Sequence, residues 1–203
     1  MKKTLIVPDE PIRYVYFLDQ GVASMLALLE GGGSVEVGMI GRDGMVGIHV
    51  LLGVETVTQE CVVQIPGAGW RMEVAAFREA ASESRPLSTA LHRYIMAFLL
   101  QVSQTAACNA SHQLDERLAR WLLMTHDRTD GDQLPLTHDY LSLMLAVRRS
   151  GVTIAAGVLQ KAGIIRYASG HITILNREAL ELSSCECYRT VKEQSDFILG
   201  KVN

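Results

Sequence analysis

Residues 136–175 read LTHDYLSLMLAVRRSGVTIAAGVLQKAGIIRYASGHITIL. Thr137 can cap a helix that carries Leu141, Leu143, Met144 and Leu145, with positions 141, 144 and 145 on one face. The chain then passes Ala146-Val147 and enters Arg148-Arg149-Ser150-Gly151. From there Val152, Ala155, Ala156 and Leu159 fall at i, i+3, i+4 and i+7, which is one buried helical stripe. The opposite face carries Arg149, Ser150, Thr153, Gly157, Gln160 and Lys161. After Gly163, the β-branched runs Ile164–Tyr167 and His171–Leu175 flank a Ser169-Gly170 turn and predict a hairpin. Helix, turn, basic-fronted helix and hairpin make the sequence shape of a winged helix-turn-helix.

Charge is placed to match. Between Tyr140 and Arg177 lie Arg148, Arg149, Lys161, Arg166 and Arg177 and no acidic residue, whereas the whole chain has a net charge of −3. Local positive charge on a net-acidic chain points to double-stranded DNA as partner. Helix pairs with basic turns also occur in protein-binding winged helices. The alternative is therefore a ligand-binding or protein-docking module whose winged helix does not read DNA.

Upstream, the chain changes character. Residues 1–85 hold 7 basic and 11 acidic side chains, and residues 113–180 hold 8 and 7, so two domains of different electrostatic character are expected. The runs Tyr14–Leu18, Val22–Leu29, Val35–Val37 and Val54–Ile65 read as strands separated by Gly/Pro turns, predicting a small antiparallel barrel or sandwich. Ser84 is a plausible cap, and Pro86 suits the first turn of a helix running from Leu87 to about His112. In that helix Leu91, Ile95, Phe98, Val102, Thr105 and Asn109 alternate in steps of four and three, a coiled-coil-like seam. A helix with so few charges needs cover on more than one side. The barrel can supply one cover and a second copy of the chain the other, or the helix is buried within a monomer. Leu114–Thr125 predicts a further helix with Glu116 and Arg120 spaced for an i,i+4 pair. A polar loop, His126–Pro135, follows it, and Asn176 caps a last helix to about Leu199.

Other chemistry finds little support. The longest apolar stretch, Tyr94–Leu100, is far short of the ~20 residues that span a bilayer. The N-terminus lacks the pattern of a signal peptide, so a cytoplasmic location without membrane partners is expected. Cys61, Cys108, Cys185 and Cys187 form no C-x-x-C, and the histidines His49, His92, His112, His126, His138 and His171 show no ligand spacing. Structural thiols and no metal are expected, with thiol sensing at Cys108 or Cys185/Cys187 as a narrower idea. Gly31-Gly32-Gly33-Ser34 lacks the lysine of a phosphate loop, and no catalytic set has a defining local motif, so no enzyme is expected.

A β-rich sensor, a long helix and a C-terminal winged helix, in that order, resemble the Crp/Fnr family of bacterial transcription regulators. The most specific stretches are Leu114–Leu122, Leu136–Gly163 and the turn Gly41-Arg42-Asp43-Gly44-Met45-Val46-Gly47. The resemblance implies an α+β chain with a barrel sensor at 1–85, a dimerisation helix at 86–112 and a winged helix-turn-helix at 113–203. It implies a homodimer on a two-fold symmetric site, with RNA polymerase as a further partner. Arg149 falls where the family places a guanine-reading arginine, Ser150 replaces the usual glutamate, and Ile154 stands where some members have a second arginine. Thr137, Arg148, Arg149, Ser150, Thr153, Lys161, Arg166 and His171 are the expected DNA-facing residues. The effector pocket falls at Gly44, Met45, Val46, Gly47, Ile48, Thr58 and Gln59. Ile48 stands at the family's ribose-binding glutamate, and no arginine lies between Arg42 and Arg71 to hold a cyclic phosphate. No response to cyclic AMP is therefore expected, and the effector is unknown. The pattern is entered near Pro8–Pro11, which predicts a sensor short at its N-terminus with an open barrel edge.

Overall fold

The computed structural model describes residues 3–201. Seven strands form the N-terminal barrel: β1 Thr4–Ile6, β2 Tyr14–Leu18, β3 Val22–Leu28, β4 Ser34–Ile40, β5 Met45–Val46, β6 Glu60–Ile65 and β7 Gly69–Glu73. They build two antiparallel sheets, β1-β6-β3-β4 and β5-β2-β7. The inner faces close on Val15, Ala23, Met25, Ile40, Met45, Val46 and Cys61. The expected continuous strand Val54–Ile65 is shorter, because only Glu60–Ile65 is extended and paired. A 3-10 helix, Ile48–Leu52, precedes it. Strand β1, ahead of Pro8, pairs with β6 and forms one edge of the first sheet.

Helix α1, Val74–Glu83, lies inside 1–85, the segment expected to form the barrel, where no helix is predicted. It buries only Phe77 and Ala81, an i,i+4 pair against the barrel, and so small a stripe leaves a weak sequence signal. Helix α2, Arg85–Ser111, begins with Ser84 Oγ accepting from Leu87 N. It docks on the edge of β4. Gln101 Oε1 accepts from Met39 N at 2.6 Å and its Nε2 donates to Met39 O at 3.1 Å, so one side chain continues the ladder where the sheet ends. Gly38 makes this approach possible, since a Cβ there would sit 2.6 Å from the Phe98 ring.

This docking corrects the predicted seam. Leu91 and Phe98 are buried against the barrel of the same chain, with Ile95 and Val102 packed beside them. Thr105 donates to Gln101 O and accepts from Arg120 Nη1, and Asn109 Oδ1 accepts from Arg117 Nε. The face left exposed is displaced by one residue: His92, Met96, Leu99, Ser103, Ala106 and Ala110 repeat in the same steps of four and three. Met96 and Leu99 are 52% and 54% exposed.

The rest of the chain comprises α3 Leu114–His126, β8 Gln133–Leu134, α4 His138–Met144, α5 Arg149–Lys161, β9 Ile165–Ala168, β10 His171–Ile174, α6 Arg177–Leu182 and α7 Cys187–Leu199. Leu118, Leu122, Leu136, Leu141, Val152, Leu159 and Ile172 fill its core. Strand β8 joins the hairpin as β8-β10-β9, so the loop 126–135 is not wholly irregular. The expected Glu116–Arg120 pair is absent. Glu116 turns back to accept from Gln113 N, closing the start of α3, while Arg120 is buried and donates to Thr105 Oγ1. The expected single C-terminal helix breaks after Leu182, where Ser183 Oγ and Ser184 Oγ donate back to Ala179 O and Glu181 O. Helix α7 then returns to lie along α2. No single helix among the described residues is long and apolar enough to cross a membrane.

Candidate nucleic-acid interface

The chain bends by 107° between α4 and α5, within the range of helix-turn-helix pairs. Thr137 caps α4 through Tyr140 N, and Ala146 takes a left-handed φ of 52° in the turn. Val152, Ala155, Ala156 and Leu159 are all buried, so the opposite face of α5 is held outward by packing. That face carries Arg149, Ser150, Thr153, Ile154, Gly157, Val158 and Lys161, all exposed. Arg148 sits at the N-cap, where unsatisfied backbone N–H groups add to its positive charge. Arg149 pairs with Asp139 at 3.2 Å, both groups well exposed. Among the described residues Arg148, Lys161 and Arg166 make no ion pair.

A small network fixes the wing against α5. The His138 ring stacks on Tyr167 at 4.0 Å, and its Nδ1 lies 3.0 Å from Thr153 Oγ1. Burial first, and Arg149 second, hold the His138 pKa below its ordinary value, which favours the neutral ring. Tyr167 N donates to Gln160 Oε1 at 2.8 Å. Arg166 and His171 lie exposed on the two strands of the wing, and Ser169 (φ 50°) turns between them. Of the five basic residues counted in the sequence, Arg177 serves a structural role. It binds Asp127, Glu181 and the Tyr188 hydroxyl at 2.6, 3.0 and 2.5 Å.

The barrel meets this domain through buried polar groups. Trp121 Nε1 donates to Glu36 Oε1 at 2.8 Å, and Ser24 Oγ lies 2.5 Å from Glu36 Oε2 and 2.7 Å from Gln64 Oε1. Ser24 has one hydroxyl proton. With Glu36 protonated, the carboxyl donates to Ser24 and Ser24 donates to Gln64, so each short contact holds a proton. Burial pushes the Glu36 pKa up to about 7, against the Ser24 and Trp121 hydrogen bonds and the charges of Arg120 and Arg128. Arg128 also forks onto Asp43 at 2.6 and 3.1 Å, tying the Gly41–Gly47 turn to the end of α3.

The expected effector positions are mostly occupied by packing. Met45, Val46 and Ile48 point into the barrel core. A Cβ on Gly44 would lie 2.2 Å from the Tyr94 ring, and the Tyr94 hydroxyl donates to Met45 O at 3.1 Å. Gly47 takes a φ of 94° at the start of the 3-10 helix. Thr58 is exposed and Gln59 partly so.

The structure also assembles a group that the sequence reading separated. Cys108, His112, Cys185 and Cys187 bring their ligand atoms within 4.8 Å of one another. Cys108 lies in the last turn of α2 and His112 caps that helix, its N–H bonded to Cys108 O, while Cys185 and Cys187 flank the start of α7. The signal in the sequence was the helical spacing C-x-x-x-H together with C-x-C, two half-sites too far apart in the chain to be joined by reading alone.

Residues 116–182 match the Crp-like helix-turn-helix domain. The chain thus carries a Crp-like helix-turn-helix on a barrel-and-long-helix frame. The whole frame is shared with solved structures. FixK2 from Bradyrhizobium japonicum superposes with a TM-score of 0.77 at 18% identity, over 91% of this chain and 93% of that one. TTHB099, a transcriptional regulator of the CRP family from Thermus thermophilus, gives 0.73 at 20% identity over 90% and 93%. The c-di-GMP responsive regulator CLP from Xanthomonas campestris gives 0.67 at 16% identity over 86% and 90%. No curated protein matches by sequence. Residues 116–182 are therefore similar to the Crp-like helix-turn-helix domain, and the fold of the whole chain is that of these solved structures.

Proposed function

We propose that the protein is a homodimeric, sequence-specific DNA-binding regulator that reads a two-fold symmetric site, with one α5 per half-site. The observation that carries this reading is the exposed polar face of α5, with Arg148 and Arg149 at its N-terminal turn and no acid in the segment 140–177. Arg149 is the base reader, suited to guanine O6 and N7, and its exposed pair with Asp139 is weak enough to give way to DNA. Arg148, Lys161 and Arg166 contact phosphates, Ser150 and Thr153 lie beside the bases, Ile154 meets a thymine methyl, and Thr137 and His171 flank the groove. The exposed seam Met96, Leu99, Ser103, Ala106 and Ala110 joins two copies. The filled barrel around Met45, Val46 and Ile48 and the absent arginine support a sensor that does not answer to cyclic AMP. Regulation is then by binding rather than catalysis, and RNA polymerase is the partner met at a promoter.

A second reading, protein docking, draws on Ile154 and Val158, which are 70% and 52% exposed on the same helix face. Salt separates the two. If Arg148, Lys161 and Arg166 of both copies contact phosphates, affinity for duplex DNA falls by about 10³-fold between about 50 and 200 mM salt. Fluorescence anisotropy on a labelled fragment measures this, and affinity indifferent to salt would favour docking.

A further inference from the structure

Helix α2 ends at Ser111, and α3 begins at Leu114. At this joint the long helix hands over to the recognition domain, and α7 comes back to meet it. Cys108, Cys185 and Cys187 are buried there in a cluster of their own, with His112 at its edge.

The cluster has the dimensions of a tetrahedral metal site. Cys108 Sγ and Cys185 Sγ are 3.5 Å apart, and Cys187 Sγ is 3.6 Å from His112 Nδ1. Tetrahedral zinc with Zn–S of about 2.3 Å and Zn–N of about 2.0 Å sets S···S and S···N edges of roughly 3.8 and 3.5 Å. An iron–sulfur cluster places iron and sulfide between its cysteines and needs a wider spread than 4.8 Å. A disulfide needs about 2.05 Å between sulfurs, so Cys108 and Cys185 face each other unbonded.

The surroundings fit an ion with three thiolates. His112 Nε2 lies 3.2 Å from Glu186 Oε2 while its Nδ1 faces Cys187 Sγ at 3.6 Å, so a proton held on Nε2 would leave the Nδ1 lone pair free for a metal. This is the carboxylate–histidine arrangement that orients metal ligands. Gln104 Nε2 donates to Cys187 Sγ at 3.1 Å. Arg117 and Arg120 act electrostatically on the sulfurs and offset the negative charge that three thiolates leave on one divalent ion.

We propose that Cys108, His112, Cys185 and Cys187 form a Cys3His site for one zinc ion, which fastens the α6–α7 junction to the end of α2. Arg117 carries the effect onward: it donates to Asn109 Oδ1 on α2 and to Leu145 O in the turn before α5. Zinc therefore holds the recognition helix in a fixed attitude to the long helix. This claim is independent of which DNA, if any, the protein reads.

The test uses the full chain, reduced and freed of metal, titrated with Co²⁺ and then Zn²⁺. The expected result is a thiolate-to-cobalt absorption that saturates at one equivalent per chain and is bleached by zinc. Glu186→Gln should weaken zinc affinity by about 10- to 100-fold while leaving the fold intact. Cys187→Ser should abolish the absorption, and Cys61→Ser, whose thiol lies in the barrel core, should leave it unchanged. If the reduced wild-type chain gives no thiolate–cobalt band, or if Cys187→Ser retains it in full, the site is refuted. A Cys108–Cys185 disulfide that resists mild reductant would equally overturn it.

Discussion

Replacing Glu36 by glutamine is expected to remove most of a pH dependence centred on the joint between the barrel and the winged-helix domain. Glu36 is 6% exposed and joins β3, β4 and β6 to α3 through Ser24, Gln64 and Trp121. Its pKa is about 7 in the folded chain against 4.5 as the ordinary value. Between those two values the folded protein keeps a proton that the unfolded chain has lost. Stability therefore falls as pH rises through this window and levels off above about 7. The gap corresponds to roughly 3 kcal/mol, an upper figure since relaxation of the joint would reduce it. Glutamine is neutral throughout and can donate to Ser24 as the protonated acid does. Urea unfolding followed by far-ultraviolet circular dichroism, from pH 4.5 to 8, gives both curves. The stability of Glu36→Gln relative to wild type should rise by about 3 kcal/mol across the window. Parallel curves would refute the neutral-carboxyl account of this joint.

Other substitutions divide the account into separable parts. Arg149→Ala should weaken specific DNA binding by about 1–3 kcal/mol and relax preference at one base position, read by competition between single-base variants of a bound site. Leu99→Glu on the exposed seam should shift a dimer to monomer in analytical ultracentrifugation, leaving the monomer folded. Phe98→Ala, one residue away, should instead cost about 3–5 kcal/mol of stability, because Phe98 is buried on Gly38. Gly44→Ala should lower the melting temperature, since its Cβ would collide with the Tyr94 ring and the backbone bonded through Met45 O.

How much of this was legible in the sequence follows from the range of each signal. The winged helix was readable because its stripe Val152, Ala155, Ala156, Leu159 and its cap Thr137 are local. Strand β7 was not, because Gly69–Glu73 is exposed along its whole length and has no alternation to detect. The long helix was visible but its two apolar faces were not distinguishable. Leu91/Phe98 and Met96/Leu99 share one periodicity one residue apart, and only Gly38 and the edge of β4 decide which face turns inward. The short Ser183–Glu186 break lies between two helical runs, and the thiol cluster it positions has halves 77 residues apart from Cys108 to Cys185.

The central claim is that two copies of α5 read a symmetric duplex site. Selection of bound fragments from sheared genomic DNA, with purified protein at moderate salt and excess non-specific competitor, tests it most directly. The account predicts a recovered motif with two-fold symmetry and half-sites about one helical turn apart. Enrichment without symmetry, or no enrichment from a zinc-loaded, dimeric preparation, would contradict it.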